Sequence, residues 1–301
     1  MIKTLLTVLL LGLVGASSGF CLQIHDHAGA TGMKFLQVGI GGRAAAMGGA
    51  YSAISGDVTA GYWNPAGLIG IEGKDAAWMH TTWMQGIRGE YAGLAFGNGR
   101  RSVGISARLQ SAGDLERREG PTIEPLGMFG VYDAALTCSY AQHLNPWMDF
   151  GVNLHALYEK IHIEAASGWA MDIGMLFRTV VEGLQGAFVL RHLGATHPMN
   201  TASIDLPTEI RTGISYGLRD RLLLSADVSF PNDDFTHVHL GLEYRFGPLL
   251  AFRAGTQTGA DEQDYSAGLG FAHGIWRLDY AFVPYRFDLG NTHRVSLGVR
   301  L

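Results

Sequence analysis

The sequence predicts an all-β protein, a transmembrane antiparallel β-barrel of about fourteen strands with a small N-terminal plug or hatch that contains short helical turns. Three observations lead there. Apolar and polar residues alternate with period two in segment after segment from residue 75 onward. The connections between those segments are short and long by turns. One face of the segments is apolar and aromatic, while the other is polar or glycine.

The chain begins with an export-type segment. Lys3 supplies a positive start, Leu5 to Val14 an apolar core, and Gly15-Ala16-Ser17-Ser18-Gly19 the small residues of a cleavage region. The apolar run is too short to span a bilayer as a helix, which takes about 20 residues. Residues 1–20 are therefore expected to be a signal peptide. Cys21 follows Phe20, where a lipoprotein signal wants Gly or Ala, so lipidation is not the expectation. With only Cys21 and Cys138 present, far apart and in different kinds of segment, a disulfide is possible but not suggested.

Residues 21–74 are expected to be the plug. Residues 33–74 show little period-two patterning. Gly39-Ile40-Gly41-Gly42-Arg43-Ala44-Ala45-Ala46-Met47-Gly48-Gly49-Ala50 is rich in small residues and suits a short, closely packed helix, and Asn64-Pro65 starts a turn.

Residues 75–301 carry the barrel. Strands are expected to start near 76, 90, 101, 131, 148, 168, 184, 208, 221, 236, 249, 263, 275 and 292. Val103, Ile105, Ala107 and Leu109 alternate with Ser102, Gly104, Ser106 and Arg108; Val238, Leu240, Leu242 and Tyr244 alternate with His237, His239, Gly241 and Glu243. Short connections fall at 97–99, 144–146, 179–183, 219–220, 247–248 and 273–274, two of them with Asn-Gly or Gly-Pro turn chemistry. Longer, more polar ones fall at 112–130, 160–167, 194–207, 231–235, 258–262 and 283–291. Short turns on one rim and long loops on the other are the outer-membrane pattern.

A soluble β-sandwich also alternates. The aromatic side chains on the apolar face argue against it: Trp169, Phe188, Tyr216, Phe230, Tyr244, Phe252, Tyr265, Trp276, Tyr280 and Phe282, several near strand ends where interfacial girdles sit. The last apolar row ends at Leu301, at the place where barrel-assembly signals usually carry an aromatic residue. In hydrocarbon every peptide group must be paired, so such strands must close on themselves. A barrel this wide is not filled by wall side chains alone. Glycines on the inner face (Gly104, Gly174, Gly213, Gly255, Gly268, Gly298) would make room for a lodged segment.

Composition agrees and excludes other classes. Charged residues are only 16%, Gly numbers 42 of 301 residues, and the formal net charge of -5 offers no footprint for nucleic acid. No nucleophile elbow, paired-Cys zinc pattern or phosphate-binding loop occurs, so no enzyme and no cofactor are expected.

Arg43-Ala44-Ala45-Ala46-Met47-Gly48-Gly49-Ala50 with Tyr62-Trp63-Asn64-Pro65-Ala66-Gly67-Leu68 resembles the N-terminal signature of the PorV/PorQ family, itself similar to FadL-type long-chain fatty-acid transporters. The signature residues are Arg43, Met47, Gly48, Gly49, Asn64, Pro65, Ala66 and Gly67. The resemblance implies a fourteen-stranded barrel with an N-terminal hatch in the outer membrane. It also implies two functions. One is a component of, or adaptor for, type IX secretion, with exported cargo docking at loops 112–130 and 194–207. The alternative is a FadL-like transport channel that binds a hydrophobic small molecule and lets it leave sideways through the wall. Membrane lipid is a partner in both.

Inner-face charges are of both signs: Arg108, Asp172, Arg178, Arg211, Asp227, Glu243, Arg245, Arg253, Asp264, Arg277, Asp279, Arg294 and Arg300. Mixed signs favour an ion-paired lining that holds the plug over a single-sign selectivity ring. Nine are the lumen-lining candidates: Arg108, Asp172, Arg211, Asp227, Glu243, Arg253, Arg277, Asp279 and Arg294. Arg43 is expected to pair with a wall carboxylate such as Asp172 or Asp227. His237, His239 and Glu243 share a face, a spacing compatible with zinc or copper, but without a diagnostic third ligand they read as polar lining. His25-Asp26-His27 reads as a solvated tail.

Overall fold

Alternation becomes a closed wall. A computed structural model describes residues 25–200, 204–259, 263 and 265–301; the expected signal segment, Cys21 and Asp264 lie outside the described residues. Fourteen strands follow one another: β1 (Glu72–Thr82), β2 (Arg88–Asn98), β3 (Arg101–Arg117), β4 (Gly127–Asn145), β5 (Met148–Ile161), β6 (Glu164–Arg178), β7 (Leu184–Thr196), β8 (Glu209–Leu218), β9 (Leu222–Pro231), β10 (His237–Phe246), β11 (Leu250–Thr258), β12 (Tyr265–His273), β13 (Trp276–Pro284) and β14 (Asn291–Arg300). Each pairs antiparallel with its sequence neighbours, and β1 pairs with β14 from Asp75↔Arg300 to Thr82↔His293, so the barrel has no open edge. Lys74 and Leu301 exchange backbone hydrogen bonds of 2.7 and 2.8 Å at the closure.

The two faces differ as alternation requires. Trp78, Ile105, Leu136, Leu154, Trp169, Phe188, Phe252 and Leu269 point outward and are exposed. An apolar band of this extent on a closed barrel belongs in a bilayer. Cys138 lies on this outer face as a free thiol. The inward positions carry Ser, Gly, Asp and Arg and are buried. Leu269 sits mid-strand in β12, flanked by Phe252 and Tyr280. Leu269→Arg is expected to destabilise the barrel by about 2–4 kcal/mol, the cost of a cation near the midplane, as measured by denaturant unfolding in lipid vesicles. A cost below about 1 kcal/mol would place this surface outside hydrocarbon.

One expected loop is about half strand and a second is mostly strand. Of 112–130, only 118–126 connects β3 to β4, because Leu115↔Phe129, Glu116↔Met128 and Arg117↔Gly127 stay paired beyond a bulge at Asp114 (φ 56). The stretch 160–167 shrinks to His162-Ile163, with Ile161↔Glu164 and Lys160↔Ala165 paired. Above the bilayer both faces of a hairpin meet water, so pairing continues where the polarity signal has ended. The β3–β6 wall therefore stands taller than the rest, with strands of 14–19 residues against 9 or 10 in β8–β14.

Residues 33–71 run through the lumen from the long-loop rim to the short-turn rim. Near the outer rim Met33, Phe35 and Leu36 pack on Ala135, Leu157, Ala166, Ala170 and Leu206, and Thr31 and Lys34 bind Asp233 in the β9–β10 loop. Deeper lie the helical turns Gly42–Ala46, Ala60–Trp63 and Pro65–Gly70. These pieces are too short to be stable alone; the wall holds them.

Candidate functional site

A segment with so little regular structure leaves many backbone groups unpaired, and buried ones need partners. The wall supplies them. Ser296 Oγ accepts from Gly42 N–H at 2.7 Å, and Ser266 Oγ accepts from Gly48 N–H at 3.0 Å while donating to the Ala46 carbonyl at 3.1 Å. Asp227 Oδ2 accepts from the N–H groups of Tyr51 and Ser52 at 3.1 and 2.9 Å. Asn153 donates to the Gly61 carbonyl at 2.9 Å, and Arg211 donates to that of Gly49 at 3.0 Å. Asn64 caps the Pro65–Gly70 turn by accepting from Ala66 N–H at 3.0 Å, and its Nδ2 donates to the Ser52 and Met175 carbonyls at 2.9 and 3.1 Å.

Glycines let the segment sit directly on the strands. A Cβ on Gly255 would stand 2.7 Å from Gly48 Cα, and one on Gly174 would stand 2.8 Å from Pro65 Cδ. Gly268 likewise faces Ala46 and Gly104 faces Leu68, whereas Gly298 makes room for Arg277 instead. Gly48 and Gly49 themselves take φ of 65° and 76°, which a side chain would strain.

Arg43 pairs with neither Asp172 nor Asp227. Its Nε and Nη2 donate to Glu243 at 2.6 and 2.9 Å, its Nη1 donates to Tyr51 Oη at 3.0 Å, and Asp57 lies 3.6 Å away. The height at which the Gly42–Ala46 turn seats against β11–β14 puts Arg43 beside β10. Asp227 is taken by the Tyr51–Ser52 amides, and Asp172 by His155 and Asn153 at 2.8 and 2.9 Å. Burial raises the Tyr51 hydroxyl well above its ordinary value, with Arg43 opposing. Burial acts to raise the Asp57 carboxyl too, but Arg43, Arg277 and hydrogen bonds from Thr59 and Tyr51 outweigh it and hold it below the carboxylate range.

Arg253 extends the network, binding Glu243 at 2.8 Å and Asp279 at 2.7 Å, while Arg277 binds Asp75 at 2.5 Å. Arg108 and Arg294 bind the Val38 and Gly39 carbonyls. His239 Nδ1 donates to the Gly48 carbonyl at 2.8 Å, its Nε2 accepts from Arg211 at 3.1 Å, and His237 lies 3.3 Å from Asp234. Both nitrogens of His239 and the Glu243 carboxylate are thus committed to protein partners, while His237 Nδ1 is buried without one.

Several residues escaped the alternation reading. Tyr51 and Asp57 lie where there is no period to read. Arg191 and His192 both turn inward at a bulge, because Leu190–Leu193 of β7 spans what Met171–Ile173 spans in β6, with His192 at φ 58. The adjacent polar pair breaking an apolar row was the only trace of it.

Two cavities flank the Gly41–Gly49 stretch. One, about 480 Å³, opens toward the short turns and is lined by Arg43, Asp57, Glu243, Arg253, Arg277 and Asp279 among others. The other, about 390 Å³, opens toward the long loops and is lined by Gly39, Gly48, Trp63, Arg191, Arg211, His239 and Arg294 among others.

A closed fourteen-stranded barrel with an apolar outer band and a lumen occupied by its own N-terminal segment defines a barrel of the outer-membrane fold. The chain belongs to the uncharacterised protein family UPF0164, whose model matches residues 13–170. No curated protein matches it in sequence. Among solved structures it is similar to the CymD monoaromatic hydrocarbon channel, with a TM-score of 0.66, 14% identity, and coverage of 88% of this chain and 98% of that one. It is also similar to the P. putida toluene transporter TodX, with a TM-score of 0.66, 12% identity, and coverage of 87% and 99%. Identities this low speak to the fold.

Proposed function

We propose that this protein is an outer-membrane conduit for a small hydrophobic molecule, exported by its 1–20 segment, with residues 21–71 as the plug and 72–301 as the channel wall. The observation that carries this reading is the division of one lumen into two cavities by a segment stitched to the wall through side chains and backbone. The whole-barrel similarity to a hydrocarbon channel and a toluene transporter supports the class of cargo. On this reading the plug signature (Arg43, Met47, Gly48, Gly49, Asn64–Gly67) and the inward charges hold the plug in place. The adaptor role in type IX secretion has no separate observation behind it: it rests on the N-terminal signature and on long loops, of which 112–130 is about half strand.

The test is uptake by cells whose outer membrane admits hydrocarbons slowly. Expression of the chain is expected to accelerate entry of labelled toluene and not of a hydrophilic sugar. No acceleration of toluene entry would overturn the proposal, and equal acceleration of both would show an open pore instead.

A further inference from the structure

Three guanidinium groups converge where the lumen segment passes Val38 and Gly39. Arg294 of β14 donates to the Gly39 carbonyl at 2.7 Å, and Arg108 of β3 donates to the Val38 carbonyl at 2.6 Å. Arg191 of β7 lies 4.5 Å from the centre of the Tyr62 ring, and Arg108 lies 5.7 Å from the same centre. All three arginines are more than nine-tenths buried. Arg191 pairs with Glu209 at 3.0 Å, but that carboxylate is shared with Arg211 at 2.9 Å. Among the described residues, neither Arg108 nor Arg294 stands in an ion pair, and Nε of Arg294, Nε and Nη2 of Arg191 and Nη1 of Arg108 have no hydrogen-bond partner.

Guanidinium does not shed its proton in proteins. Three like charges gathered in a buried place are therefore costly, and an anion beside them offsets the cost. Arg191 and Arg294 line the outer cavity of about 390 Å³, within the size range of small-molecule sites. Glu209 and Asp234 also face it; the first is shared between two arginines and the second lies 3.3 Å from His237. The remaining walls decide the body of the ligand. Trp63, Trp83 and Tyr285 present rings, whereas Val38, Ala45, Pro231 and Val283 are the aliphatic part, too little for a long acyl chain.

We propose that the outer cavity binds a carboxylate carried on a single aromatic ring, its oxygens taken by Arg191 and Arg294 with Arg108 behind them, and its ring against the tryptophans. Planar guanidinium forks match carboxylate geometry. The inference deepens the conduit reading and rests on it for the route onward, though binding is measured apart from passage.

The purified full chain in detergent is titrated with benzoate and with benzamide, its neutral isostere, following tryptophan fluorescence and the thermal midpoint. Benzoate is expected to saturate and raise the midpoint, as a ligand of the folded state does, with benzamide weaker by about tenfold or more. Arg294→Gln is expected to weaken benzoate by about tenfold and benzamide by clearly less, and Arg294→Lys to recover part of the loss. Should Arg294→Gln fail to fold, the two titrations of the unaltered chain decide alone. Equal binding of benzoate and benzamide overturns the proposal. So does a benzoate effect reproduced by the same concentration of chloride, or displacement of benzoate by lower concentrations of palmitate. Absent benzoate binding with toluene uptake intact would sink this inference and leave the conduit; benzoate binding with no toluene uptake would do the reverse.

Discussion

Arg43→Gln is expected to free the lumen segment from the wall, at a cost of about 1.5–3 kcal/mol to its seating, the worth of a hydrogen bond to a charged group, since Glu243 keeps Arg253 and Arg245 when Arg43 is gone. Arg43 is the segment's only charged tie to Glu243, and it also holds Tyr51 and Asp57. Hydrogen exchange should rise at the amides of residues 42–62 while the barrel strands stay protected, and conductance across planar bilayers should increase. Arg245→Gln is the contrast: Arg245 also reaches Glu243, at 3.1 Å, but is half exposed, so its loss should cost less than about 1 kcal/mol. Unchanged exchange in a folded Arg43→Gln barrel would mean that the backbone stitches alone hold the segment. The pH dependence has a definite sign. A carboxyl held below its unfolded value contributes stability that is full above the ordinary carboxylate range and lost only as pH falls through the lowered value. Asp57 is such a group, so its share of the latch should survive mild acid.

Gly255→Val should act at the other end of the same turn. A side chain there meets Gly48 and Met47 backbone, which has nowhere to move between β10 and β12. Overpacking of this kind costs about 1–3 kcal/mol or more, and it falls on the segment rather than on the ladder, where valine suits a strand. The expected product is a barrel that folds, by heat-modifiable migration on gels, but shows high conductance and weak protection at residues 42–52. Gly186→Ala serves as the control, since the nearest atom to its added carbon would be 3.9 Å away. A Gly255→Val barrel with a quiet, fully protected lumen would show that the turn does not rest on β11.

Alternation by itself determined much of this protein. Strand number, the outward apolar face, and the inward burial of Asp172, Asp227, Glu243 and Arg294 all follow from it, because side chains in a strand must point to opposite sides in turn. The mismatch between Gly-rich inner positions and a small-residue N-terminal stretch also pointed to a lodged segment. Only the tertiary structure decided who meets whom. Periodicity assigns a face but neither a height nor a position around the barrel, so Arg43 could be matched to a wall carboxylate in principle and to Glu243 only in space. The same holds for the bulge that turns Arg191 and His192 inward together, for Tyr51 and Asp57 in a stretch without period, and for hairpins at 112–130 and 160–167 that stay paired in water after the polarity signal has stopped. Pairing depends on distance across the lumen, which no local pattern encodes.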